Sequence, residues 1–197
     1  PTVFIIDDDL AVRDSLSLMI EQENISVSTF DSAETFLNSY QPESRGCAIV
    51  DIRMSGMDGM ELHQLLLARN ILLPVIFLTG HGDIPMSVQA MKAGAVDFLT
   101  KPVTREKLIT SIKAAIQKSE RLLSEDANHQ EALLHLAHLT DRERDVMFLA
   151  VQGHPNKHIA RQLGISHRTV EIHKSKIMQK TGAVNLLDLA RIVHESE

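Results

Sequence analysis

Several side chains suited to metal or phosphate chemistry directly follow short apolar runs in this chain. They are Asp7, Asp8 and Asp9 after VFII, Asp51 at the end of GCAIVD, Thr79 at the end of VIFLT, and Lys101 after VDFLT. Because burial of an unpaired carboxylate is costly, an aspartate that ends a buried run either caps a turn or belongs to a site. The sequence around each of these residues is needed to decide between a turn cap and a site.

The chemistry of such a site follows from the types of these residues. Carboxylates that meet at one point repel one another unless a hard cation lies among them. Oxygen donors without Cys or His favour Mg²⁺ or Mn²⁺ over Zn²⁺. A lysine and a hydroxyl facing the same point supply the counter-charge and hydrogen bond that a phosphoryl group needs, and carboxylates serve as phosphoryl-accepting nucleophiles. Each signal is weak alone, since acidic helix caps and Lys-Pro turns are common.

The elements between these residues indicate how they come together. Strand patterns at 3–6, 25–30, 46–51, 75–79 and 96–100, of which 25–30 is alternating, are interleaved with helical patterns at 10–20, 33–38, 58–70, 84–93 and from Thr104. This alternation predicts an α/β doubly wound, five-stranded parallel sheet with strand order 2-1-3-4-5. The ligand site of such a sheet lies at the carboxyl ends of its strands, where all the residues above would stand. Asp9 is expected to cap the first helix.

The rest of the chain has a different composition. No Pro or Gly occurs between Pro102 and Gly153, so a helical linker is expected, with residues 125–128 as its predicted break. A solvated helix and a rod that couples two domains are both compatible with this pattern. Four helices follow, at about 141–152, 156–163, 169–180 and 184–194, with Gly164-Ile165 as a turn. This part is predicted to be an all-α domain.

Charge is distributed unevenly along the chain. The net charge is -6, yet residues 153–182 contain six Lys and Arg against one acidic residue, Glu171. Six basic residues could form only a solvated face, but together with the helix spacing and the turn they favour DNA binding. The single cysteine, Cys47, precedes an apolar run and is expected to be a buried hydrophobe in a reducing compartment. The first residues lack the features of a signal peptide, so a cytoplasmic location is expected.

The motifs IIDDD, VDIRMSGMDG, FLTGHGD and MKAGAVDFLTKP together resemble the receiver domain of bacterial two-component response regulators, particularly the FixJ branch. The resemblance covers residues 1–120. It implies that Asp51 accepts a phosphoryl group from a sensor histidine kinase, and that the Lys101-Pro102 bond is cis. The other roles that it implies are Mg²⁺ binding by Asp7, Asp8, Asp51 and the Arg53 backbone carbonyl, phosphoryl contacts from Thr79 and Lys101, and switching by Thr79 and Phe98.

One residue departs from the motif of that family. The usual proline after Met54 is Ser55, between Met54 and Gly56. Without the proline, the loop that follows Asp51 is expected to be less preset, which would soften the binding of Mg²⁺ and of the phosphoryl group without abolishing it.

The segment LTDRERDVMFLAVQGHPNKHIARQLGISHRTVEIHKSKIMQKTGA resembles the helix-turn-helix output domain of LuxR/NarL/FixJ-type regulators over residues 138–197, which leaves 121–137 as the helical linker. Val170, His173 and Ile177 are expected to form the packed face of the recognition helix, with His173 as a satisfied packing residue. The opposite face is free for a major groove. The predicted phosphate contacts are Lys157, Lys174, Lys176 and Lys180, and the groove-facing residues are Thr169, Glu171, Ile172 and Ser175.

The combined interpretation is a phosphorylation-activated transcription regulator, an activator, that dimerises when phosphorylated and binds promoter DNA and RNA polymerase. It is not expected to be a turnover enzyme. Two alternatives remain. An aspartyl phosphatase would need a second aspartate two residues after Asp51, where Arg53 stands. An adaptor that binds only proteins would show no salt-dependent DNA association.

Overall fold

The computed structural model describes residues 1–41, 44–80 and 84–196, apart from the side chain of residue 84. The last three residues of the FLTGHGD motif, residues 81–83, therefore lie outside the described residues. The chain divides into two compact units, Pro1–Leu123 and Ser124–Glu197. No helix in the described part of the chain is long and apolar enough to cross a membrane.

The first unit alternates strands and helices, as the sequence predicts. Its elements are β1 (Thr2–Ile6), α1 (Leu10–Glu21), β2 (Ser26–Phe30), α2 (Ala33–Ser39), β3 (Gly46–Asp51), α3 (Gly59–Ala68), β4 (Val75–Thr79), α4 (Ile84–Lys92), β5 (Asp97–Thr100) and the start of α5 (Arg105–Ala137). All strand pairs are parallel and the order is β2-β1-β3-β4-β5, which confirms the predicted doubly wound sheet. The Lys101-Pro102 bond is cis.

Alternate strand residues pack on opposite faces of this sheet. Phe4, Val50 and Phe77 belong to a buried cluster that includes side chains of α2, α3 and α4. Ile5 and Ile49 belong to a second cluster that includes side chains of α1 and α5. The strands β1, β3 and β4 are buried on both faces, which explains their continuous apolar runs, whereas the more exposed β2 has an alternating sequence.

Cys47 lies within the second of these clusters. Its side chain is fully buried, as expected. Burial raises the pKa of its thiol to about 12. The thiol therefore behaves as a small packing group.

The second unit is helical and has its own core. It contains the C-terminal part of α5, then α6 (Asp141–Val151), α7 (Asn156–Leu163), α8 (His167–Thr181) and α9 (Leu186–Glu195). Val146, Ile159, Val170, Ile177 and Leu189 are buried together in one cluster. The helix α5 continues through residues 125–128, so the expected break is absent there.

Polar caps fix the starts of most helices. Asp9 accepts a hydrogen bond from the Ala11 N–H and caps α1, as predicted. Thr140 and Glu143 form the predicted capping box of α6, in which each side chain accepts a hydrogen bond from the other residue's N–H. Such caps satisfy N–H groups that have no partner within the helix. The predicted helix limits differ from the observed ones by one or two residues, the usual uncertainty at frayed ends.

Candidate functional site

The acidic residues and Lys101 meet at the carboxyl edge of the sheet. Asp7 follows β1 and Asp51 ends β3, and the register of these adjacent strands pairs Ile6 with Val50. Lys101 follows β5 and reaches back across this edge. Its Nζ donates hydrogen bonds to Asp7 Oδ2 at 2.7 Å and to Asp51 Oδ2 at 2.8 Å. The sheet topology thus brings together three residues that are separated by up to 94 positions in the chain.

Burial makes the charges at this edge interact strongly. Asp7 is 1% exposed and Asp51 8% exposed. Burial raises the pKa of Asp7, although the hydrogen bonds from Lys101 and from the Asp9 N–H oppose that effect. Burial alone would lower the pKa of Lys101, but the hydrogen bonds to Asp51 and Asp7 outweigh it and raise that pKa. The ammonium therefore keeps its proton and forms a charged contact with the carboxylate that is predicted to react.

The carboxylates of this edge fit a hard divalent cation. Asp7, Asp8 and Asp51 each offer an oxygen, and these oxygens lie within 4.8 Å of one another. Lys101 neutralises only part of this charge, so the cluster still attracts a cation. All the donors are oxygens, the ligands that Mg²⁺ prefers. The N–H of Arg53 donates to Asp51 Oδ1 at 3.3 Å, which places the Arg53 backbone beside the cluster.

Thr79 and Phe98 occupy neighbouring strands next to this cluster. Thr79 ends β4 and is 1% exposed. Its carbonyl accepts the Lys101 N–H at 2.7 Å, so the two residues are linked through the backbone. Phe98 pairs with Phe77 in the β4–β5 register and is half-buried against the core cluster on the α2–α4 side of the sheet. The switch role of Thr79 and Phe98 stays a prediction.

Gly59 explains why an Asp-Gly pair follows the loop after Asp51. A Cβ atom at this position would lie 2.3 Å from the Asp51 carbonyl oxygen and 3.0 Å from Ile52 Cα. The Gly59 N–H also donates to the Ile52 carbonyl at 3.0 Å. The first turn of α3 therefore lies directly against the backbone of the predicted nucleophile, and only glycine allows this approach.

Two hydrogen-bonded contacts of this loop were not expected from the sequence. The N–H and the hydroxyl of Ser55 each donate to Asp8 Oδ2, both at 3.3 Å. The N–H of Met57 donates to Glu34 Oε1 on α2 at 3.2 Å. The absence of the usual proline drew attention to position 55, whereas nothing in the sequence pointed to Glu34. The loop is therefore held at two points in spite of the missing proline.

The helices α7 and α8 form the second candidate site. Gly164 ends α7 in the left-handed conformation, with φ +65°, and Ser166 caps α8 by accepting the Thr169 N–H. Val170 and Ile177 are fully buried, as expected for the packed face of α8. The predicted DNA-contacting residues that are exposed on these helices are Lys157, Glu171, Ile172, Ser175 and Lys176, whereas Thr169, Lys174 and Lys180 are half-buried.

Two of the predicted phosphate-binding lysines already have acceptors within the domain. Lys174 Nζ donates to Asn156 Oδ1 at 2.7 Å. Lys180 Nζ lies 2.6 Å from Glu143 Oε2, and the Glu143 side chain is only 4% exposed. The hydrogen bond from Lys180, followed by the one from the Thr140 N–H, lowers the pKa of Glu143 to about 2. These lysines therefore connect α8 to the N-terminal ends of α7 and α6.

His173 differs from the expectation of a satisfied packing residue. It is half-buried in α8, but its Nδ1 atom is buried without a hydrogen-bond partner among the described residues. The backbone N–H and carbonyl groups of the helix are already paired with one another, so they offer no bond to Nδ1. The helical spacing of the sequence did not reveal this missing bond.

Comparison with known proteins assigns both parts of the chain to families. The response regulator receiver domain matches residues 3–113, and the bacterial regulatory proteins of the luxR family match residues 137–193. The transcriptional regulatory protein FixJ of Bradyrhizobium diazoefficiens is 40% identical over 190 residues, which cover 96% of this chain and 93% of FixJ. TdiR of Thauera aromatica, also a transcriptional regulatory protein, is 38% identical over 98% of this chain and 85% of its own.

Solved structures extend this similarity to the fold. The response regulator StyR matches with a TM-score of 0.84 and 40% identity, over 99% of this chain and 98% of StyR. Full-length FixJ from B. japonicum matches with a TM-score of 0.60 and 39% identity, over 99% of this chain and 96% of FixJ.

Proposed function

This chain belongs to the response regulators that join a receiver domain to a LuxR-type DNA-binding domain, and from this premise we propose that Asp51 is its phosphoacceptor. The observation that carries the proposal is the contact of the Asp51 carboxylate with Lys101 Nζ at 2.8 Å, beside two further carboxylates. The activity is phosphorylation-controlled regulation of transcription. The domain limits that we propose are residues 1–120 for the receiver, 121–137 for the helical linker and 138–197 for the DNA-binding domain.

The donor of the phosphoryl group is a sensor histidine kinase. An Asp51 oxygen attacks the phosphorus of the kinase phosphohistidine, an O–P bond forms, and the P–N bond breaks with its electron pair returning to the imidazole nitrogen. Lys101 would pair with a phosphoryl oxygen, and the Thr79 hydroxyl would donate to another. Such preorganised charges stabilise the transition state without costly rearrangement.

The metal that fits the site is Mg²⁺, with Mn²⁺ as the alternative. Asp7, Asp8, Asp51 and the backbone carbonyl of Arg53 would hold it, since the three carboxylate oxygens lie within 4.8 Å of one another. When bound, the ion neutralises negative charge at the reacting phosphoryl group. The residues of the chain position the acceptor oxygen and exclude water from around Asp51, which is 8% exposed.

Phosphorylation changes the quaternary state of the chain in this proposal. Thr79 and Phe98 move towards the phosphoryl group, the surface formed by α4, β5 and α5 rearranges, and the receiver dimerises. Two recognition helices can then bind half-sites about one helical turn apart. The half-buried position of Phe98 supports this proposal, because its side chain is not enclosed in the core.

The recognition helix α8 reads promoter DNA. We assign phosphate contacts to the exposed Lys157 and Lys176, and base-edge contacts to Glu171, Ile172 and Ser175. Thr169, Lys174 and Lys180 remain predicted contacts whose side chains also bond within the domain. An activator role, contact with RNA polymerase and a cytoplasmic location complete the proposal, because a promoter-bound regulator acts where DNA is transcribed.

The decisive experiment uses the full-length chain and a phosphorylated kinase domain in the presence of Mg²⁺. Intact-mass spectrometry should detect one added phosphoryl group, and native mass spectrometry should detect a dimer. Asp51→Asn should lose both signals, and Glu61→Gln, on the exposed surface of α3, should keep them. Dimerisation of Asp51→Asn on addition of the donor would contradict the proposal.

The same preparation separates the two alternative functions. Repeated hydrolysis of small phosphoesters would indicate a phosphatase. DNA association that is undetectable at every salt concentration would indicate an adaptor that binds only proteins.

A further inference from the structure

Ser55 fixes the orientation of an otherwise exposed carboxylate. Both its N–H and its hydroxyl donate to the same oxygen of Asp8, Oδ2, at 3.3 Å. Asp8 is an exposed residue, and Ser55 contacts it from 47 positions away in the chain. Among the described residues, no other hydrogen bond holds the side chain of Asp8.

These bonds leave the second oxygen of Asp8 available. A carboxylate has two oxygens, and each of them can accept more than one bond. The bonds from Ser55 use only Oδ2, and one carboxylate oxygen of Asp8 lies within 4.8 Å of oxygens of Asp7 and Asp51. Hydrogen bonds to a ligating carboxylate commonly orient it and increase metal affinity.

We propose that Ser55 is a positioning residue that orients Asp8 for Mg²⁺ binding. This inference rests on the proposed metal site of the receiver domain. It reverses the expectation from the sequence, in which the missing proline makes the loop less preset. The serine replaces a backbone restraint by a direct link between the loop and a metal ligand.

The alternatives at position 55 differ in the bonds that they can make. Proline has neither an N–H nor a hydroxyl, so it would lose both contacts with Asp8. Alanine keeps the N–H and loses the hydroxyl, whereas threonine keeps both donors. Affinity for Mg²⁺ should therefore follow the number of donors at this position.

The same loop provides a matched control. Glu34 holds the Met57 N–H at 3.2 Å, and no contact between Glu34 and Asp8 is present among the described residues. Glu34→Ala therefore loosens the loop without removing a bond to the metal ligand. An effect through general loop order would appear in both variants, and an effect through Asp8 only in the Ser55 variants.

The test is a Mg²⁺ titration of the unphosphorylated full-length chain, followed by isothermal calorimetry and by amide chemical shifts of the loop. We expect the dissociation constant to rise about threefold in Ser55→Ala and about tenfold in Ser55→Pro, at or below the low end of such outer-shell effects because the bonds are long. Ser55→Thr and Glu34→Ala should bind as the wild type does. Asp8→Asn should bind far more weakly than any of them.

Three results would overturn the inference, and they can be told apart. Equal or tighter Mg²⁺ binding by Ser55→Pro and Ser55→Ala would refute the role of Ser55 while leaving the metal site intact. An equal loss in Glu34→Ala would assign the effect to loop order. If the wild type itself bound no Mg²⁺, the proposed metal site would fail together with the inference. Should Ser55→Pro fold poorly, the alanine and threonine variants still decide the question.

Discussion

Replacement of Lys180 distinguishes a structural lysine from a DNA contact. Its Nζ lies 2.6 Å from Glu143 Oε2, and the Glu143 side chain is 4% exposed. Lys180→Met keeps most of the aliphatic stem and removes the charge. Among the described residues, Glu143 would then keep only its bonds with Thr140, so a buried carboxylate would lose its cationic partner.

The size of the effect follows from the titration of Glu143. Its pKa falls from 4.5 to about 2, chiefly through the hydrogen bond from Lys180. At about 1.4 kcal/mol per pKa unit, the shift corresponds to an upper limit of about 3 kcal/mol of stability. Thr140 supplies part of this, and solvent screens Lys180, whose side chain is 33% exposed. We therefore expect Lys180→Met to lower the free energy of unfolding of the helical domain by about 1–2 kcal/mol.

The sign of the pH dependence gives a second readout. A carboxyl group whose pKa is lowered by folding stabilises the folded state when the pH is above the pKa of the unfolded chain. That stabilisation is lost as the pH falls through the pKa of the folded state. The difference between the wild type and Lys180→Met should therefore be complete above pH 4.5 and decline towards pH 2.

Hydrogen exchange of the α6 and α8 amides in the full-length chain measures this stability locally. The double variant Glu143→Gln with Lys180→Met should recover part of the loss, with a coupling energy of about 1 kcal/mol. Unchanged exchange in Lys180→Met, together with a decrease of about one in the salt slope of DNA binding, would refute the structural role and favour a phosphate contact.

Three further predictions concern other residues. Lys176→Ala should lower the salt slope of DNA binding by about one, with no loss of thermal stability, because the residue is exposed; binding measured at several salt concentrations tests this. Gly59→Ala should destabilise the chain by about 1–3 kcal/mol and slow phosphorylation, since the new Cβ meets the Asp51 carbonyl oxygen at 2.3 Å; thermal unfolding and phosphorylation rates report the two effects. Burial, and secondarily the charge of Lys118, lowers the pKa of His63, which is 4% exposed. As the pH falls below 6.5, the unfolded chain therefore binds a proton at His63 before the folded chain does, and the free energy of unfolding should decline. Melting measured as a function of pH should show a smaller decline for His63→Leu.

The sequence predicted the sheet and the position of its site because few topologies satisfy its pattern. Continuous apolar runs separated by helical segments require a parallel sheet, and parallel strands bring their carboxyl ends to one edge. Asp7, Asp51 and Lys101 therefore had to meet once the strand order was known. The break expected at residues 125–128 was wrong because acidic residues interrupt the apolar pattern without breaking a helix. A continuous segment without Pro or Gly keeps all its backbone hydrogen bonds.

Contacts between side chains that are far apart in the chain could not be predicted in this way. Ser55 meets Asp8 from 47 positions away, and Lys180 meets Glu143 from 37 positions away. Periodicity assigns a residue to a face of its own element, but it does not identify the partner on another element. Lys180 was therefore assigned to DNA from its charge and its position in the predicted recognition helix, and its contact with a buried carboxylate was not foreseen.

The burial of Cys47 has a practical consequence for labelling. Only the thiolate reacts with maleimides and disulfide reagents, and a thiol with a pKa of about 12 that is also inaccessible supplies almost none at neutral pH. A cysteine introduced on the recognition helix, for example in place of the exposed Ile172, would then be the single reactive thiol of the chain. A fluorophore or spin label placed there would follow the approach of DNA without removal of the native cysteine.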